Sequence, residues 1–312
     1  MTDTNYTNGV IAVKEKALLG EKLLRFTEMS AQEVLRALSE SGFGGEAQDA
    51  EGICEAEERV LDAFIREYAP TKAEKIYLLA PRDFHNAKAI CKAKRLNAEA
   101  EKMLSSEGMI PVETLTEAIG NGDFASLGAE LGGAAKEALE REEISGAEIG
   151  ALFDKALFRY LACTLKYRAI FRTLLAKKAD MTNILTALRA TSFEQAEPLF
   201  VDGGKLGAKE LSKLFSSDMD GGDALKGTPY EEFYALCMRA REKSIPYTEA
   251  ERALESFEAE YFYEKRYALE GKEPFLYYVF RRRAEIQNVR IVLVCLGAEL
   301  PSYDIKRRLR AI

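Results

Sequence analysis

Three stretches of this chain place an acid and an asparagine three residues apart: Asp83 and Asn86, Asp180 and Asn183, Glu285 and Asn288. A carboxylate and a carboxamide on one side of a helix could serve acid–base chemistry or hold a hard cation through oxygen. Either task needs further groups converging on the pair, and none recurs with it. The structural alternative places each acid at or near a helix start, where it accepts a backbone N–H and suits the positive end of the dipole, with the asparagine following on the same side. These six residues are therefore expected to be structural positions of a repeated motif. No catalytic, cofactor-binding or metal-ligating residue is assigned.

Other chemistry finds little support. His85 is the single histidine, which excludes multi-histidine metal sites and histidine relays within one chain and predicts a surface or capping group. Phosphate-loop, dinucleotide-binding and nucleophile-elbow patterns are absent, and Gly203-Gly204-Lys205 is too short to cradle a phosphate. An enzyme built on clustered carboxylates would need a cleft of strongly shifted acids that no local motif marks. Five cysteines without a C-x-x-C pair predict reduced, buried thiols in a cytosolic chain. The Arg281-Arg282-Arg283 run and the Arg307, Arg308 and Arg310 tail could bind phosphates, but a charge run is more often a solvated helix face, and of the functional readings docking on an acidic protein surface is preferred over nucleic acid. On a helix, Arg281 to Arg283 fan over roughly 200° and cannot all face one way.

The elements that carry these residues read as helices. The chain has 312 residues with 47% apolar and 30% charged, enough for a large core and for two domains or a set of repeats. Apolar residues recur at helical spacing from Ile53 to Tyr68 and from Ala250 to Phe262, and a third run, starting at Leu152, predicts a helix from about Gly150 toward Asp180. Gly42 to Gly45, Gly120 to Gly122, Gly203-Gly204 and Gly221-Gly222 are expected helix stops. No apolar run approaches the roughly 18–20 residues that cross a bilayer. The first residues carry an acid and no secretory h-region. Charge is uneven: residues 271–312 hold nine basic and four acidic side chains, net +5, leaving −12 elsewhere.

The motif asparagines are 97 and 105 residues apart, one third of the chain, which predicts a triple internal repeat at approximately 45–128, 140–222 and 228–312, with 1–44 a partial copy. A second element follows each copy: Ile110-Pro111, Leu206-Gly207 and Leu300-Pro301 each precede a short helical pattern, and Pro fits a helix's first turn. The apolar run from Ile291 to Leu296 is ambiguous alone, but its repeat-mates are good helix formers, so all three are predicted helical. The fold class is all-α.

The stretch from Pro274 through Arg281-Arg282-Arg283-Ala284-Glu285-Ile286-Gln287-Asn288 to Leu293, followed by Leu300-Pro301 and Ile305 to Arg310, resembles the C-terminal signature of the C subunit of V-type (archaeal and bacterial A/V-type) ATP synthases, the counterpart of the d subunit of eukaryotic vacuolar ATPases. Asp83 to Lys94 and Asp180 to Ala190 are similar to that family's internal motifs, while Gly297-Ala298-Glu299 is shorter than its usual connection. The resemblance implies three similar helical subdomains around a pseudo-threefold axis, funnel-shaped with a central cavity, in a single domain over 1–312. It implies a non-catalytic rotor subunit without cofactor, peripheral to the membrane on its cytoplasmic side. In that family such a subunit sits on the proteolipid ring and receives the central shaft, made of the D and F subunits, coupling ATP turnover to proton or sodium transport. The alternative is a helical-repeat interaction scaffold unrelated to the ATPase.

Overall fold

A computed structural model describes residues 4–215, 225–268 and 271–310 of the chain. Fifteen α-helices appear among them: α1 (Thr4–Lys14), α2 (Lys22–Phe26), α3 (Ala31–Glu40), α4 (Ala50–Tyr68), α5 (Lys72–Leu96), α6 (Val112–Asn121), α7 (Ala129–Glu140), α8 (Gly146–Thr164), α9 (Ala169–Arg189), α10 (Phe193–Ala196), α11 (Ala208–Ser212), α12 (Glu231–Arg241), α13 (Tyr247–Tyr263), α14 (Glu273–Gly297) and α15 (Ser302–Lys306). No strand occurs among the described residues, and none of their helices is long and apolar enough to cross a membrane.

The chain forms two compact units. One is assembled from both ends, Met1–Lys75 with Glu255–Ile312, and the other is continuous, Ile76–Leu254. In the first, every residue from Pro274 to Phe280 of α14 is buried, so the helix is apolar on all sides over its first two turns and must be wrapped by neighbours there. Helices α1 to α4 supply the wrapping. Phe64 of α4 stacks on Phe275 at 5.7 Å and meets Tyr278 edge-on at 5.0 Å. In the second unit, apolar stripes of α5, α6, α7 and α8 close one core around Phe84, Leu115, Ile119, Leu131 and Phe153. Each such side chain contributes about 1.5–3 kcal/mol by leaving water. Tyr77 of α5 stacks on Phe171 of α9 at 4.6 Å.

Several local expectations appear in place. The ambiguous run Ile291 to Leu296 lies inside α14, and α6, α11 and α15 start directly after Pro111, Gly207 and Pro301. Helix α6 stops at Gly122 with φ 76°. Gly221-Gly222 lies outside the described residues.

One expectation is corrected. The run from Gly150 toward Asp180 is two helices, broken at Leu165 to Arg168. Leu165 there is 2% exposed, so burying it against the returning helix outweighs continuing an exposed rod.

Candidate functional site

The acid-x-x-Asn units sit in the middle of the three longest helices among the described residues, not at their starts. Asp83 lies eleven residues after the first of α5, Asp180 eleven after the first of α9, and Glu285 twelve after the first of α14. The helix-start reading is therefore wrong. At mid-helix the main chain satisfies its own N–H groups, so the side chains are left to bind something else.

In the first two copies they bind the segments that lead into α6 and α11. Asp83 accepts the Met109 N–H at Oδ2 (3.1 Å) and the Ile110 N–H at Oδ1 (3.0 Å). Asp180 accepts the Lys205 N–H at Oδ2 (3.0 Å) and the Leu206 N–H at Oδ1 (2.8 Å). One turn along the same helix face, Asn86 accepts the Ser105 N–H (2.8 Å) and donates to the Ser105 carbonyl (3.3 Å). Asn183 does the same with Val201, at 2.8 and 2.9 Å. The residue types follow from the partners. Two N–H donors require an acceptor-only carboxylate, whereas one N–H and one C=O require a carboxamide, which offers both.

The third copy keeps the asparagine and alters the acid. Asn288 accepts the Arg310 N–H (2.7 Å) and donates to the Arg310 carbonyl (3.1 Å). Glu285 instead accepts the Gly20 N–H at Oε1 (3.0 Å), from the opposite end of the chain, and the Arg282 Nη1 at Oε2 (3.0 Å). Arg282 also donates to Glu57, whose other oxygen accepts the Gly44 N–H at 2.6 Å, and its guanidinium lies over the Phe43 ring. Glu285 is fully buried and the side chains of Arg282 and Glu57 are 13% and 6% exposed, a closed carboxylate–guanidinium–carboxylate triad.

Two glycines complete the first copies. A Cβ on Gly108 would stand 2.1 Å from Asp83 Oδ1, and one on Gly204 would stand 2.2 Å from Asp180 Oδ1. Sequence reasoning missed this role, although a signal was present: Gly108 and Gly204 each stand two residues before Ile110 and Leu206, while Ala298 occupies that place before Leu300. The copy without the glycine is the one whose acid turns elsewhere.

Chemically these are fasteners. All three acids are at most 3% exposed, and both oxygens of each accept hydrogen bonds from the chain's own donors. Asp180 takes a third from the Tyr230 hydroxyl, and burial together with that bond raises the tyrosine's pKa. Among the described residues no group of three or more His, Cys, Asp or Glu is placed to hold a metal ion. His85 is exposed, its ring Nε2 3.1 Å from the Met103 carbonyl. Four cysteines are buried, and burial pushes the thiol of Cys54 up to about 11 and those of Cys91 and Cys237 up to about 12; Cys163 is exposed, against the expectation of buried thiols throughout.

The arginines divide by position. Arg282 is held in the triad, which takes it out of the set available to a partner, while Arg281 and Arg283 are half-buried. Arg310 pairs with Glu255 at 2.8 Å, and neighbouring Lys306 pairs with Glu28 at 2.7 Å. Arg307 and Arg308 are exposed. Part of the basic tail is thus neutralised by acids distant in sequence.

The family described as ATP synthase (C/AC39) subunit matches residues 7–308. Two strains of Thermus thermophilus each have a similar protein, named in both as the C subunit of a V-type ATP synthase. One is 27% identical over 263 residues, 78% of this chain and 81% of that one. The other is 27% identical over 247 residues, 73% and 76% of the two chains.

Proposed function

Since the chain belongs to the ATP synthase (C/AC39) subunit family, we propose that it is the non-catalytic central-stalk subunit of a rotary V/A-type ATPase. It couples the central shaft, made of the D and F subunits, to the membrane proteolipid ring, and so transmits torque between ATP turnover and proton or sodium transport. The observation that carries this reading is the span of the family match, residues 7–308. The motif geometry supports it, because the most suggestive carboxylates are spent on internal fastening and leave the body a mechanical role. Close-packed helices resist deformation, as a torque-bearing part must. In this proposal the three internal repeats surround a pseudo-threefold axis and a central cavity that receives the shaft, with the protein peripheral to the cytoplasmic side of the membrane.

The test is isolation of the chain from native membranes in mild detergent. Head, shaft and ring subunits of the ATPase should accompany it; recovery only as a free protein under all conditions overturns the assignment. Exposed Arg307 and Arg308 are the candidate contacts with an acidic neighbour. Arg307→Glu with Arg308→Glu is expected to weaken assembly at low salt, measured by native mass spectrometry, and unchanged assembly removes these two residues from the interface.

A further inference from the structure

The longest acid-free basic stretch of the chain lies outside the C-terminal third. Residues 155–179 carry seven basic side chains and no acid, in a chain of net charge −7. In the middle of α8 these charges are answered: Lys155 donates to the Pro198 carbonyl and Arg159 pairs with Asp202 at 2.8 Å. At the turn joining α8 to α9 they are not. Lys166, Arg168 and Arg172 are exposed there, and no carboxylate among the described residues pairs with them. Arg168 and Arg172 stand one helical turn apart, joined by the Arg172 N–H to the Arg168 carbonyl at 3.0 Å.

The same turn encloses a recess of about 190 Å³ whose apolar walls include Phe158, Leu165 and Leu175, with Lys166, Arg172 and Asp202 among its polar lining. Tyr167 projects beside it, 87% exposed, the most exposed large hydrophobic side chain of the described residues. Local folding does not explain this composition. Cations in the first turn of α9 oppose its dipole, whereas α3 and α8 begin with Ser–Glu capping boxes.

We propose that the α8–α9 turn is a docking surface for an acidic segment of a partner protein, which seats one large apolar side chain in the recess and sets carboxylates against Lys166, Arg168 and Arg172. An apolar socket with Lys166 and Arg172 on its lining, and Arg168 one helical turn from Arg172, matches an anchor residue flanked by acids, the arrangement that concentrates binding energy in one desolvated pocket under electrostatic guidance. Asp202 on the same lining is already answered by Arg159 at 2.8 Å, which leaves Lys166, Arg168 and Arg172 to set the charge at the turn. The inference rests on this chain's own charge and shape and stands whether or not the partner belongs to a rotary complex.

The experiment replaces Tyr167 with photoreactive p-benzoylphenylalanine in the full-length chain, irradiates native cells and sequences the cross-linked peptide by mass spectrometry. The expected product is a peptide with an acidic excess around a Leu, Phe, Met or Tyr. Lys166→Glu with Arg172→Glu in the same background should cut its yield at least about tenfold, since like charges then meet across the contact. Lys209→Glu, an exposed charge on α11, should leave the yield unchanged. The double variant places an acid in the first turn of α9, so it should fold, and circular dichroism checks this. A cross-link to lipid, to a second copy of the chain or to a segment without acidic excess overturns the proposal, as does no cross-link, or a yield indifferent to the double reversal. Whether the captured protein is an ATPase subunit is read separately and bears only on the rotary assignment.

Discussion

At the scale of single residues, the acid-x-x-Asn unit works by matching donor and acceptor inventories. Asn183 meets both the N–H and the C=O of Val201 in a buried setting. Asn183→Asp keeps size and shape but replaces the donor by a second acceptor facing a carbonyl. It should lower stability by about 1–3 kcal/mol in urea unfolding at neutral pH, the cost of a buried polar group left unsatisfied. The triad of the third copy has higher stakes. Arg282 is the cation between Glu57 and Glu285, and removing it strands two buried carboxylates. Arg282→Met is expected to cost about 3–5 kcal/mol, since breaking a buried pair leaves uncompensated charge. A loss below about 1 kcal/mol on the same urea curve would show that water reaches both acids.

At the scale of elements, α7 contains a matched pair of adjacent glycines with opposite expectations. A Cβ on Gly132 would stand 1.9 Å from the Phe124 carbonyl oxygen, whereas one on Gly133 meets nothing within 4 Å. Gly133→Ala should raise stability by about 0.5–1 kcal/mol through helix propensity alone. Gly132→Ala should lower it by about 1–3 kcal/mol, because the helix must move off the turn that precedes it. Thermal unfolding of the two variants checks the pair. Local patterns of this kind mark how far the sequence could be read. Helical class, the main amphipathic helices and the start of α6 after Pro111 were legible, because periodicity and proline chemistry act within a few residues. The break at Leu165 to Arg168 was not, since no Gly or Pro marks it and only tertiary burial of Leu165 decides it. The mid-helix setting of Asp83 and Asp180 was hidden for the same reason: the N–H groups they accept lie 25 to 27 residues downstream, beyond any local pattern. The acid of the third copy was farther out of reach, because Glu285 takes Gly20, 265 residues away.

At the scale of the whole molecule, that last bond shows that the two ends of the chain build one unit together while the other unit is a single continuous segment. The N-terminal segment supplies what the third motif copy lacks. Gly20 donates to Glu285, Thr27 and Ser302 share a 3.0 Å hydroxyl contact, and Glu28 pairs with Lys306. Leu23 and Phe26 are buried in the same region, at 1% and 5% exposure. Removing residues 1–28 should therefore uncover α14, apolar on every side in its first turns, and open the Glu57–Arg282–Glu285 triad. The continuous unit keeps every fastener of its own, Asp83 with Asn86 and Asp180 with Asn183, along with the core around Phe84, Leu115 and Phe153. Hydrogen exchange on the truncated chain should show loss of protection across α4 and α14 and retained protection across α6, α7 and α8, because each cooperative unit opens according to its own contacts. Equal loss in both sets of helices would mean that the chain unfolds as one body and that the N-terminal segment supports more than the third copy. Protection retained throughout would mean that the bonds from Gly20, Thr27 and Glu28 are dispensable and that α14 finds other cover.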